Sequence, residues 1–208
     1  MQIKNKIIVC VVLIFFTLNL NLAAEEFNIS ATEITIDKVK DIVVGKGSVE
    51  VTDKQGKLIK ADKVTYEKSK EFITAEGSVE VLDTLGNVLK SGKATYDKIN
   101  EIISTYENST LTIKEGYNIK SQEIIYDAKK RVLFSNLNST LTDEDVNYIT
   151  VTMFQYHIEK NLFSSLGKIK IVDINKNQYF FKELHVDTKK KEMIGSDVSV
   201  VLDQENFG

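Results

Sequence analysis

From Phe27 onward the chain alternates apolar and polar residues in short runs rich in Val, Ile, Thr, Tyr and Phe, broken by Gly, Asp, Asn and Lys. Period-two alternation between turn residues predicts β-strands with tight connections, and no stretch reads as an amphipathic helix. One stretch shows the unit. Gly47 to Val51 alternates as a strand, Asp53-Lys54-Gln55-Gly56 turns the chain, Leu58 to Tyr66 forms a second strand, Lys68-Ser69-Lys70 turns again, and Phe72 opens the next long strand. The pattern then recurs as Gly77-Ser78-Val79-Glu80-Val81 and Asp83-Thr84-Leu85-Gly86.

The recurrence has a period of thirty residues, marked by Tyr66, Tyr96, Tyr126 and Tyr156, with Ile36 before them and Val186 after. A fixed period in this range signals stacked supersecondary units that share one core. Aligned on it, the positions Val43, Ile73, Ile103, Leu133, Phe163 and Met193 are all apolar, as are Val51, Val81, Leu111, Leu141, Ile171 and Val201, and Ile34, Val64, Ala94, Ile124, Phe154 and Leu184. Gly45, Ala75, Thr105, Ser135, Ser165 and Gly195 are all small. Asp53, Asp83, Asp143, Asp173 and Asp203 share a turn position at which Ile113 is the exception.

Because side chains alternate along a strand, Ile73, Val79 and Val81 face one way and Glu76 and Glu80 the other, while Val64 and Tyr66 share a face in the shorter strand. Every strand therefore has one apolar face, and the small positions in mid-strand, beside Gly47 and Gly77, allow a bend or bulge that would fold the sheet over. The expectation is an all-β fold: an elongated antiparallel arrangement of about twelve strands in two-strand repeats of ~30 residues, roughly 50 Å long, with an apolar trough inside and charges outside. A parallel solenoid would stack the tyrosines directly; the short turns favour hairpins.

Composition narrows the function. The 208 residues are 42% hydrophobic and 27% charged, with a net charge of -3 and no proline or tryptophan. Nothing in that balance suggests nucleic-acid binding, which leaves a basic footprint. Lys4 and Lys6, the apolar run Ile7 to Leu18 and the small residues before Glu25 form the pattern of a secretory signal peptide over residues 1–24, followed by one repeat domain over 25–208. The apolar run is short for a membrane span of ~20 residues. Cys10 falls inside it, so the exported chain would carry neither disulfides nor a catalytic thiol.

Candidate chemistry is sparse. His157 and His185 lie far apart and at positions of opposite parity, which argues against a metal pair, and the recurrent aspartates suit turn capping better than acid–base work. No cofactor is expected. The tyrosines fit a core or rim role better than a ligand ladder. The terminal strands, without proline, leave backbone edges suited to strand addition by a partner.

The units Gly-Ser-Val-Glu-Val…Asp-x-x-Gly…Lys-Val-Thr-Tyr-Glu at Gly47–Glu67, and their counterpart at Gly77–Asp97, resemble the organic-solvent-tolerance A-like domain family. The resemblance rests on the repeat as a whole and covers Phe27 to Phe207. It implies a non-enzymatic periplasmic β-jellyroll that shields the lipid A acyl chains of lipopolysaccharide in a groove and joins other jellyroll proteins edge to edge. By that resemblance the groove is lined by Val43, Val51, Ile73, Val81, Ile103, Leu111, Leu133, Leu141, Phe163 and Ile171. The family includes a free-standing transport protein and the N-terminal domain of an outer-membrane assembly protein; the ending at Asp203–Gly208 suggests the latter, truncated, with an outer-membrane barrel to follow. The alternative is a structural or adhesive β-repeat protein with a filled core and no ligand.

Overall fold

The computed structural model describes residues 27–203 apart from 55, 115 and 144–146; the expected signal peptide, Cys10 and the last five residues lie outside the described residues. The chain is an antiparallel meander in sequence order. Two short segments, β1 (Phe27–Ser30) and β2 (Glu33–Asp37), pair side by side along β3 (Ile42–Asp53), which is followed by β4 (Leu58–Glu67), β5 (Phe72–Leu82), β6 (Val88–Asp97), β7 (Ile102–Thr112) and β8 (Asn118–Asp127). Next come β9 (Val132–Ser135) with β10 (Ser139–Thr142), then β11 (Tyr148–Val151) with β12 (Phe154–His157). The meander ends with β13 (Leu162–Val172), β14 (Gln178–Asp187), β15 (Glu192–Ser196) and β16 (Ser199–Val201). Four of the expected twelve strands are thus each interrupted in the middle, and the expected antiparallel hairpins are present throughout.

Every strand bends at the same level, so the sheet folds over on itself into two facing layers. The register skips from Lys46 to Val49 between β3 and β4, and from Glu76 to Val79 between β5 and β6. The extra pair in the long strand takes positive φ: Gly47 and Ser48 at 73° and 47°, Gly77 and Ser78 at 76° and 48°, Glu107 and Asn108 at 66° and 63°. The bend thus falls at Gly47 and Gly77, as expected from the glycines, and two residues beyond the column of small residues beside them. Those small residues line the inner corner, where Ala75, Thr105, Ser135 and Ser165 are almost fully buried. A side chain at Gly45 would press on Val49, which shows how little room the corner leaves.

The short strands bend by a single extra residue. Val49 pairs with Ala61 and Lys46 with Lys63, leaving Asp62 opposite Gly47 and Ser48. One extra residue reverses parity, so Ile59 and Ala61 face inward before the bend and Val64 and Tyr66 after it. Where the repeat lacks its glycine, hydroxyls satisfy the broken ladder. Ser135 Oγ accepts from Leu137 N at 3.1 Å, and Ser139 Oγ donates to Leu137 O at 2.8 Å. Across the break between β11 and β12, Ser165 Oγ of β13 donates to Met153 O at 2.7 Å.

The core is the continuous inside of this fold, from Phe27 through Val51, Ile73, Ile103, Ile124 and Phe154 to Leu184. Outside, charges pair across strands. Glu76 lies between Lys63 (2.9 Å) and Lys93 (3.4 Å), Glu80 meets Lys90 (2.8 Å) and Glu50 meets Lys60 (3.3 Å). Such exposed pairs are worth little individually, but they mark the face that water sees.

Candidate lipid-binding trough

The two rows of turns form the lips of the trough. On one lip the recurrent aspartates close Asx turns: Asp83 Oδ1 accepts from Leu85 N (2.9 Å) and Asn87 N (2.8 Å), Asp143 Oδ1 from Asn147 N (2.8 Å), and Asp173 Oδ1 from Asn177 N (2.9 Å). On the other lip Asp97, Asp127 and Asp187 accept from the amides of Asn100, Lys130 and Lys190. The second lip is also tied lengthwise. Lys68 N donates to Asp41 O, Lys98 N to Glu71 O, Ala128 N to Glu101 O, Ile158 N to Arg131 O and Thr188 N to Asn161 O, all within 2.8–3.1 Å. Each turn is thereby hydrogen-bonded to the next.

Between the lips lie two substantial cavities. The larger, about 320 Å³, has aliphatic walls of Val81, Leu89, Ile103, Leu111 and Leu133, with Lys57, Asp83, Glu101, Tyr126 and Arg131 around its rim. The second, about 190 Å³, is walled by Ile113, Ile119, Leu141, Ile149, Phe163 and Val186, with Tyr117, Asp143, Asn147, Thr188 and Lys191 at its edge. Towards β1 the interior narrows to about 10 Å³ among Phe27, Val51, Ile59, Val81, Tyr96 and Ile103. Glu101 and Arg131 are solvent-exposed. An apolar interior with a charged rim has room for an apolar chain whose polar head could stay in water.

All ten residues expected in the groove lie inside the fold and are buried. Val81, Ile103, Leu111 and Leu133 meet at the larger cavity and Leu141 and Phe163 at the second, whereas Val51 lines only the narrow end. Val43, Ile73 and Ile171 belong to the surrounding core and line none of these three spaces. Met193 and Val201, equivalent to the groove columns in the last cycle, are about half exposed, since among the described residues no strand lies beyond β15 and β16.

Sequence reasoning did not single out Leu89, Ile119 and Ile149. They belong to the inward set that precedes the bend in the short strands, hidden by the parity change there. Ile113 carried a legible signal, as the apolar exception among turn aspartates; it is 3% exposed and lines the smaller cavity. The interior is not uniformly apolar either. Near its middle Ser121 Oγ lies 3.0 Å from Ser135 Oγ, and Thr105 Oγ1 donates to Ile124 O at 3.0 Å. Ser109 Oγ is buried beside them and has no hydrogen-bond partner among the described residues.

The tyrosines sit at the junction of core and lips. Tyr96 and Tyr156 are buried, and Tyr66 and Tyr126 partly so. Burial pushes the phenols of Tyr96 and Tyr126 above their ordinary value, helped at Tyr96 by the negative charges of Asp53 and Glu101. His185 lies on the outer face, with Nδ1 2.9 Å from Ser164 Oγ and Nε2 2.9 Å from Glu183 Oε1. His157 ends a different strand, and among the described residues no three His, Cys, Asp or Glu side chains gather as a metal site.

No family model and no curated protein matches the chain. Among solved structures it is similar to the crystal structure of LptH, the LptA-homologous periplasmic component of the lipopolysaccharide transport device of Pseudomonas aeruginosa. That similarity covers 85% of this chain and 94% of the other, at 13% identity and a TM-score of 0.27.

Proposed function

We propose that the protein is a non-enzymatic carrier of long acyl chains, acting after export in lipopolysaccharide transport or outer-membrane assembly. The observation that carries this reading is the 320 Å³ aliphatic cavity opening between charged lips inside a folded antiparallel sheet. Apolar side chains surround it, so a bound acyl chain gains by leaving water, at roughly 0.8 kcal/mol for each buried methylene. The repeat's resemblance to the organic-solvent-tolerance A-like family supports lipid A acyl chains as the cargo and the periplasm as the compartment.

Partner jellyrolls would add at the sheet ends. Ile34 and Ile36 on β2, and Ile194, Val200 and Val201 on β15 and β16, are exposed on terminal strands that pair on one side only among the described residues.

Photo-crosslinking tests it. A photoreactive residue at Ile103 or Leu133 is expected to capture lipopolysaccharide, whereas the same group at Glu76 or Glu80, on the outer face, is expected to capture none. Labelling from the outer positions alone would reject the trough as the binding surface. The near-filled interior at the β1 end favours a second reading, a structural repeat with a packed core, and absence of lipid at all four positions would select it.

A further inference from the structure

We propose that Phe27 is the end-stop of the trough and sets the length of acyl chain that fits inside it, an inference that rests on the acyl-chain reading above. Phe27 begins the four-residue strand β1, held to one layer of the fold through pairs from Phe27 with Asp53 to Ser30 with Glu50. Its ring crosses to the opposite layer. There it meets Tyr66 edge-on at 5.4 Å and 78° and Tyr96 at 6.1 Å and 83°, with the Lys98 ammonium 5.7 Å above it. It is 6% exposed.

The ring therefore spans the interior from one layer to the other. Beside it only about 10 Å³ remains. Lys57, Val81 and Ile103 line both that remnant and the 320 Å³ cavity, so the two are parts of one passage narrowed at the ring. A chain lying along Leu133, Leu111 and Ile103 meets Phe27 and goes no further.

The repeat does not require an aromatic residue at this place. Four of the six equivalent positions are polar, Lys57, Asn87, Asn147 and Asn177, while Tyr117 and Phe207 are aromatic. The backbone amides of Lys57, Asn87, Asn147 and Asn177 all close an Asx turn on the preceding aspartate, at 2.8–2.9 Å. A polar residue thus serves that place in the turn, and a phenyl ring is not needed for it. At Phe27 the side chain turns inward and does its work in the trough.

The test is displacement of cis-parinaric acid from the purified protein by saturated fatty acids of graded length. In the wild type, affinity is expected to rise about fourfold for each added methylene until a limiting length, and then to stay flat. Phe27→Ala should keep rising past that length, binding the longest chains at least ~10-fold more tightly while short chains are unaffected. Phe27→Trp should lower the limiting length. Both variants are first checked for the wild-type β-sheet circular dichroism and a cooperative melt. If Phe27→Ala does not fold, Phe27→Leu takes its place. An unchanged limiting length in the folded variants overturns the end-stop and leaves the carrier reading standing. Absence of displaceable cis-parinaric acid binding in the wild type and every variant overturns the carrier reading, and the end-stop with it.

Discussion

Asp41, Glu71, Glu101, Arg131, Asn161 and Lys191 all adopt left-handed backbone, with φ between 49° and 59°, at the same point of successive turns. That conformation costs an ordinary L-residue on the order of 1–2 kcal/mol, and glycine would adopt it without steric penalty. The turn hydrogen bonds hold it in place: Glu101 N donates to Lys98 O at 3.3 Å, and Glu101 O accepts from Ala128 N at 3.0 Å. Glu101→Gly should therefore raise the urea-unfolding free energy by about 1 kcal/mol, the relieved strain outweighing the freedom glycine gains when unfolded. Gly77 is the converse case. At φ 76° a methyl group would be strained and would also strike the Asp62 carboxylate, so Gly77→Ala should cost roughly 2 kcal/mol in the same measurement. A neutral Gly77→Ala would mean that the bend does not depend on glycine. Of these two positions, Gly77 was legible in the sequence because glycine advertises its conformational role. Glu101 was not, because a glutamate in a left-handed turn looks like any charged surface residue.

At the scale of the strand and its turn, protonation sets the limits of stability. Hydrogen bonds from the amides of Asn100 and Lys190 hold the carboxyls of Asp97 and Asp187 below the ordinary value of 3.8; at Asp127 the Lys130 ammonium leads and its amide adds. A carboxyl with a depressed folded pKa contributes stability that is complete above its unfolded value and is lost as pH falls through the folded value. The tyrosines act in the opposite sense. Burial raises the folded pKa of Tyr96 and Tyr126 above the ordinary 10.0, so their contribution is complete below that pH and is lost as pH rises through the folded value. Melting temperature should be level through neutral pH, fall below about pH 4, and fall again above about pH 10. Replacing Tyr96 and Tyr126 by Phe should flatten the alkaline limb and leave the acid limb unchanged; an unaltered alkaline limb would refute the assignment. The aspartates were readable as turn residues from their spacing alone. The change of inward parity at Asp62 was not, because a one-residue bulge leaves no residue type of its own in the sequence.

For the whole molecule, stacking in sequence order makes each unit depend on its neighbours, so opening should begin at the ends. Ile34, Ile36, Met193, Ile194 and Val200 are 46–74% exposed on the terminal strands, whereas Val79, Ile119 and Ile124 in the middle are at most 2% exposed. Hydrogen-exchange mass spectrometry should show β2, β15 and β16 exchanging first and β5 to β8 last. Uniform exchange along the chain would contradict a stacked array. The alternation, the short turns and the thirty-residue period together determined the strand class, the antiparallel hairpin order, the inward columns and the turn aspartates, because alternation and turn chemistry are local properties that repetition makes conspicuous. Only the tertiary structure decided that the short strands take part in the bend through a single extra residue, which reverses their inward parity. It also decided which of the buried aliphatic residues border open space rather than one another, and that Phe27, a single residue at the start of a four-residue strand, spans the gap between the layers. Those outcomes depend on distances between residues far apart in the chain, and on the room left once all side chains are packed, neither of which a linear pattern encodes.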